Sequence, residues 1–130
     1  MFRIHALVRV AALIFVVAAG GCGPGTPDPS DPAKAREVLK KALDAWMRNE
    51  SADSLKSGDA PIVAVDRQWQ QGVKLVEYTI DEKSSMNGFD VQLTAMLSLQ
   101  DAAGKSGKQK ASYAVSTSPK LVVVRSEPGS

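Results

Sequence analysis

The side chains best suited to nucleophilic or acid–base chemistry are nearly missing from this chain. Its one cysteine is Cys22 and its one histidine is His5, both close to the N-terminus. The rest of the sequence offers no thiolate nucleophile and no histidine base, and a zinc site built from Cys and His cannot be assembled. Carboxylates, lysines and tyrosines remain, and their ordinary pKa values lie far from neutrality, so each would need a large shift to act as a base at pH 7. Asp66, Asp81, Glu82 and Asp90 show no spacing suited to paired acid–base work or to a calcium loop. Asp81 and Glu82 would point to opposite faces of any strand that reached them. All four read as solvated turn charges, and no catalytic residue, metal or cofactor is expected.

Gly104-Lys105-Ser106 looks like the end of a phosphate-binding loop, but Leu99 stands where such a loop needs its first glycine, and no helix follows. A hairpin turn is the plainer reading. The candidate ligand contacts are aromatic: Trp69, inside Asp66-Arg-Gln-Trp-Gln-Gln-Gly72, together with Tyr78 and Tyr113. A loop tryptophan can grip a peptide or sugar, although packing at the rim of a core explains such a residue more readily. The two tyrosines share the inward parity of their segments, which brings their hydroxyls to a partner or to the rim.

What positions these residues begins with an export segment. Residues 1–21 carry Arg3, His5 and Arg9, then the apolar run Val10–Ala19, then small residues. The run is too short to span a bilayer comfortably, whereas a cleaved leader needs only about 7–15 apolar residues. Its end, Ala19-Gly20-Gly21-Cys22, resembles the lipobox of bacterial lipoproteins. The resemblance implies cleavage before Cys22 and a diacylglyceryl group on its thiol. It also implies an extracytoplasmic protein anchored to the cell membrane or outer membrane. Two or three acyl chains, at about 0.8 kcal/mol per buried methylene, anchor stably where one would be marginal. The competing interpretation is an ordinary secretory leader with Cys22 incidental.

After Cys22, residues 22–30 hold three prolines, two glycines and no large apolar side chain, the composition of an extended tether. The full chain has 16 Lys+Arg and 14 Asp+Glu, and Arg3 and Arg9 belong to the leader, so the mature protein is near neutral. That balance gives no reason to expect a nucleic-acid partner or electrostatic adhesion to anionic lipid. Residues 31–126 form the one expected domain, and 127–130 a disordered tail.

Asp31-Pro32 reads as an N-cap followed by proline at the first helical position. The helix should run to about Asn49, with Ala35, Val38, Leu39, Ala42, Leu43, Trp46 and Met47 in one apolar stripe. Ser51–Gly58 is expected to add one further turn. Beyond it Ile62–Val65 is strand-like, and Lys74–Asp81, Phe89–Gln100, Lys108–Thr117 and Leu121–Arg125 are strand candidates separated by turn residues. Val76, Tyr78 and Ile80 should face inward, as should Phe89, Val91, Leu93, Ala95, Leu97 and Leu99, and Ala111, Tyr113 and Val115. The expected fold class is α+β: one long N-terminal amphipathic helix packed on a curved antiparallel sheet of about four strands.

That order resembles the cystatin-like and NTF2-like superfamily in topology. Gln70-Gln71-Gly72-Val73-Lys74 does not match the inhibitory hairpin of cystatins, and the domain lacks the histidine that NTF2-like enzymes commonly use. The expected function is a non-catalytic binding or assembly module, tethered to the membrane through lipid on Cys22. Its partner would be an envelope protein, peptide or glycan. The alternative is a small NTF2-like enzyme with an Asp base and a Tyr donor in a sheet–helix pocket.

Overall fold

The computed structural model describes residues 28–126; the leader, Cys22, the tether up to residue 27 and the 127–130 tail lie outside the described residues. Helix α1 spans Pro32–Met47, the first element of the described chain. The Asp31 carboxylate accepts from the Lys34 N–H at 2.8 Å, and Pro32 occupies a first-turn position whose missing N–H costs nothing. The helix ends at Arg48, followed by Asn49 in the left-handed region with φ 64°. A short 3-10 segment at Ala52–Lys56 then leads back along the domain to β1, Ile62–Val65.

A single turn of helix, α2 (Arg67–Gln70), separates β1 from β2 (Lys74–Asn87). After it come β3 (Asp90–Gln100), β4 (Ser106–Ser116) and β5 (Leu121–Ser126). The sheet has five strands in the order β1-β5-β4-β3-β2. It is mixed, which corrects the expected antiparallel sheet of about four strands. Strand β1 pairs parallel with β5, while β2 through β5 form an antiparallel meander. The fifth strand is Ile62–Val65, whose alternation buries Ile62 and Ala64 and exposes Val63 and Val65. Because β1 and β2 lie at opposite edges, α2 carries the chain across one end of the sheet.

Helix α1 covers one sheet face. Leu39, Leu43 and Trp46 from the helix are buried in one cluster with Val91, Leu93, Ala95, Leu97 and Leu99 of β3, Val115 of β4 and Val123 of β5. No described element covers the opposite face of the sheet. Three details of the expected pattern change. Leu75 pairs with Leu99 and Glu77 with Ser98, so Val76 is an extra residue in a β-bulge. The bulge shifts the parity: Leu75 is buried and Val76 is 55% exposed, while Tyr78 and Ile80 keep their inward places. Phe89, expected inside β3, sits in the turn before it and is 54% exposed. Met47, the last residue of the expected stripe, is exposed, and Ala45 is buried in the same cluster as the rest of the stripe.

The strand directions sort the connections into two ends. One end holds the start of α1, the start of β1, the β2–β3 turn and the β4–β5 turn. The other holds the end of α1, α2 and the β3–β4 turn.

Candidate functional site

The three aromatic candidates occupy three separate places. Trp69, on α2, is 8% exposed and stacks on Trp46 with ring centroids 5.5 Å apart and planes inclined by 8°. Each indole N–H has a backbone acceptor: Trp46 Nε1 donates to the Val73 carbonyl at 2.8 Å and Trp69 Nε1 to the Glu50 carbonyl at 2.9 Å. The pair therefore ties the end of α1 to the crossing segment. A shallow cleft of about 460 Å³ opens beside it, lined by both tryptophans with Asn49, Glu50, Val73 and Lys74 among others. Any ligand there would meet the edges of two stacked indoles whose N–H groups are already engaged.

Tyr78 faces α1. Its hydroxyl donates to Asp44 Oδ1 at 2.7 Å, joining the sheet to the polar flank of the helix. Burial, and then the neighbouring carboxylate, push this phenol well above its usual range.

Tyr113 belongs to a buried cluster that the sequence pattern did not reveal. Asp66, expected as a solvated turn charge, is 3% exposed, and Tyr113 and Arg125 are 1% and 7% exposed. The Asp66 carboxylate accepts the Tyr113 hydroxyl at 2.7 Å and the Arg125 guanidinium at 3.2 Å from each of its oxygens. The same carboxylate caps α2, accepting the Gln68 N–H at 3.0 Å and the Trp69 N–H at 3.4 Å. Tyr113 and Arg125 are direct cross-strand partners, and the guanidinium carbon lies 5.9 Å from the ring centroid. Burial first, and then the charge and hydrogen bond of Asp66, raise the Tyr113 hydroxyl far beyond the ordinary phenol range. The physical reason for burying Asp66 is the crossover itself: a chain leaving β1 for the far edge must turn over the inner face, and its helix cap then lies beside β4 and β5.

The side chains of Trp69, Tyr78 and Tyr113 thus bond to different acceptors, the Glu50 carbonyl, Asp44 and Asp66, although Asp66 also accepts the Trp69 backbone N–H. Asp81 and Glu82, in the exposed outer half of β2, are far along the chain from Asp66 and on another edge of the sheet. Gly104-Lys105-Ser106 lies at the β3–β4 turn, where Asp101 accepts the Lys105 N–H at 2.8 Å and Gly104 has φ 85°, so it is a hairpin as expected. Among the described residues no three His, Cys, Asp or Glu side chains gather as a metal site, and no helix is long and apolar enough to cross a membrane.

A second cleft, of about 480 Å³, lies at the end where α1 begins. Its floor is apolar, with Ala60, Pro61, Val63, Pro119 and Leu121, and lysines 34, 56 and 120 stand around it. No residue in this cleft was singled out from the sequence, because its lining comes from segments up to 87 positions apart. Comparison with known proteins finds no matching family model and no matching curated protein.

Proposed function

We propose that the chain is an extracytoplasmic lipoprotein, held to a membrane by lipid on Cys22, whose domain binds or organises an envelope component without catalysing a reaction. The observation that carries this reading is the leader itself, a charged start and a short apolar run ending in Ala19-Gly20-Gly21-Cys22. The interior adds support for the binding half. An enzyme of the cystatin-like or NTF2-like shape would need an open pocket between helix and sheet. Here that space is filled by Leu39, Leu43 and Trp46 against the β3 side chains. The two tyrosines that could have served as donors are each hydrogen-bonded to a carboxylate. Contact with a protein, peptide or glycan would then fall on surface clefts and on the sheet face opposite α1.

Metabolic labelling with a clickable fatty acid tests the anchoring. The wild-type chain should carry the label and fractionate with membranes, and Cys22→Ser should lose the label while its domain stays folded. An unlabelled wild type would overturn the proposal.

A further inference from the structure

The lysine-lined cleft has a position as well as a composition. Ser30, the last residue before the helix cap, donates its N–H to the Phe89 carbonyl at 2.9 Å, and its hydroxyl accepts the Thr117 N–H at 2.9 Å. The Asp31 N–H in turn donates to Thr117 Oγ1 at 2.9 Å. Thr117 also lines the cleft. The segment leading back to Cys22 is therefore stitched to the same end of the domain that holds the three lysines. Ser30 lies eight positions beyond Cys22, a reach of at most about 28 Å for a fully extended chain. The 16-residue α1 sets the opposite end of the domain about 24 Å further away.

The side chains of the near end suit an interface. Lys34 and Lys120 engage in no ion pair among the described residues, and Lys56 pairs with Asp53 at 3.2 Å in an exposed contact. The cleft floor is apolar, and Phe89 and Met86, among the most exposed large apolar side chains of the domain, project from the β2–β3 hairpin at this end. Of the acidic groups here, Asp31 caps α1, and Asp28, Asp59 and Asp90 do not line the cleft. Cations around an apolar floor, with exposed apolar residues beside them, complement a surface of anionic headgroups over acyl chains.

We propose that this end of the domain docks on the membrane that holds the lipid anchor. Lys34, Lys56 and Lys120 meet the phosphates of anionic phospholipids, and Phe89 enters the headgroup boundary. The inference rests on the anchoring of Cys22. Docking would point the Trp46–Trp69 end away from the bilayer. The overall charge balance gave no hint of such adhesion, because the three cations come together only when α1, the 3-10 segment and the β4–β5 turn are folded against one another.

The test uses the full lipid-modified chain reconstituted in vesicles. The wild type, treated with a thiol-reactive dye, should take no label, since acylation blocks its only cysteine; labelling would overturn the anchoring and this inference with it. Ala60→Cys at the cleft and Ala102→Cys in the β3–β4 turn then place the dye at opposite ends. With phosphatidylglycerol and a headgroup quencher in phosphatidylcholine vesicles, quenching at position 60 should exceed that at position 102 severalfold. In pure phosphatidylcholine or at high salt the difference should shrink severalfold, to what the tether alone imposes; a difference that does not depend on phosphatidylglycerol would overturn the docking. Each lysine near an anionic surface strengthens attachment about fivefold, so Lys34→Glu with Lys120→Glu should lower docking by at least about 25-fold. Lys105→Glu with Lys108→Glu, at the other end, should leave it unchanged. Equal quenching at the two positions in labelled chains whose wild type takes no dye would overturn the docking alone. A response at position 60 to a water-soluble acidic peptide as large as that to vesicles would overturn it too, by giving the cleft to a soluble partner.

Discussion

Asp66 does two jobs with one carboxylate: it caps α2 and it neutralises Arg125 inside the core. Removing one member of a buried pair leaves the other charged and desolvated, which costs about 3–5 kcal/mol. Asp66→Ala should lower stability by that amount in urea titrations, and Asp66→Leu combined with Arg125→Met should recover much of it. Tyr113 supplies a pH signature. Its folded pKa is raised, so the stability it contributes is complete below about pH 10, the unfolded phenol value, and is lost as pH rises above it. Urea midpoints measured between about pH 8 and 12 should fall more steeply for wild type than for Tyr113→Phe. A faint trace of this cluster does exist in the sequence. Arg125 shares the inward parity of Leu121 and Val123, and an arginine in that register needs a carboxylate. Nothing local says which carboxylate answers, since Asp66 is 59 positions away.

Among the elements, α1 was the most legible, because a stripe at helical spacing and the Asp31-Pro32 start both declare themselves locally. Leu39 and Leu43 are fully buried in the middle of that stripe, so Leu39→Ala or Leu43→Ala should each cost about 2–5 kcal/mol in thermal or urea unfolding. The helix stop is a different matter. Asn49 holds φ 64° just past the cap, where a β-branched side chain is strained by about 1–2 kcal/mol. Asn49→Val should destabilise by roughly that much and Asn49→Gly should be neutral or slightly stabilising, as differential scanning calorimetry would show. The bulge at Val76 escaped the strand pattern for a physical reason: an extra residue reverses the parity of everything before it, and only the pairing with β3 reveals where it sits.

At the scale of the whole molecule, one cluster of buried residues joins α1 to all five strands and to Trp69 of α2. Such a core should melt as a unit. The fluorescence of the stacked Trp46–Trp69 pair reports on one end of the domain and far-UV circular dichroism on all of it. Their urea transitions should coincide in midpoint and slope; an earlier fluorescence transition would mean that the crossing segment opens on its own.

The residues with chemical potential and the strand and helix periodicities were set by composition and short-range spacing, because propensity, alternation and capping act over a few positions; the proposed leader ending at Cys22 rests on the same kind of local pattern. The tertiary structure alone decided that Ile62–Val65 joins the sheet in parallel with Leu121–Val124. It also buried Asp66 between Tyr113 and Arg125, and gathered three lysines at the end where the tether arrives. Those outcomes depend on which distant segments share a face. That choice is made when the chain closes its core around the crossing between β1 and β2, a step that no local pattern encodes.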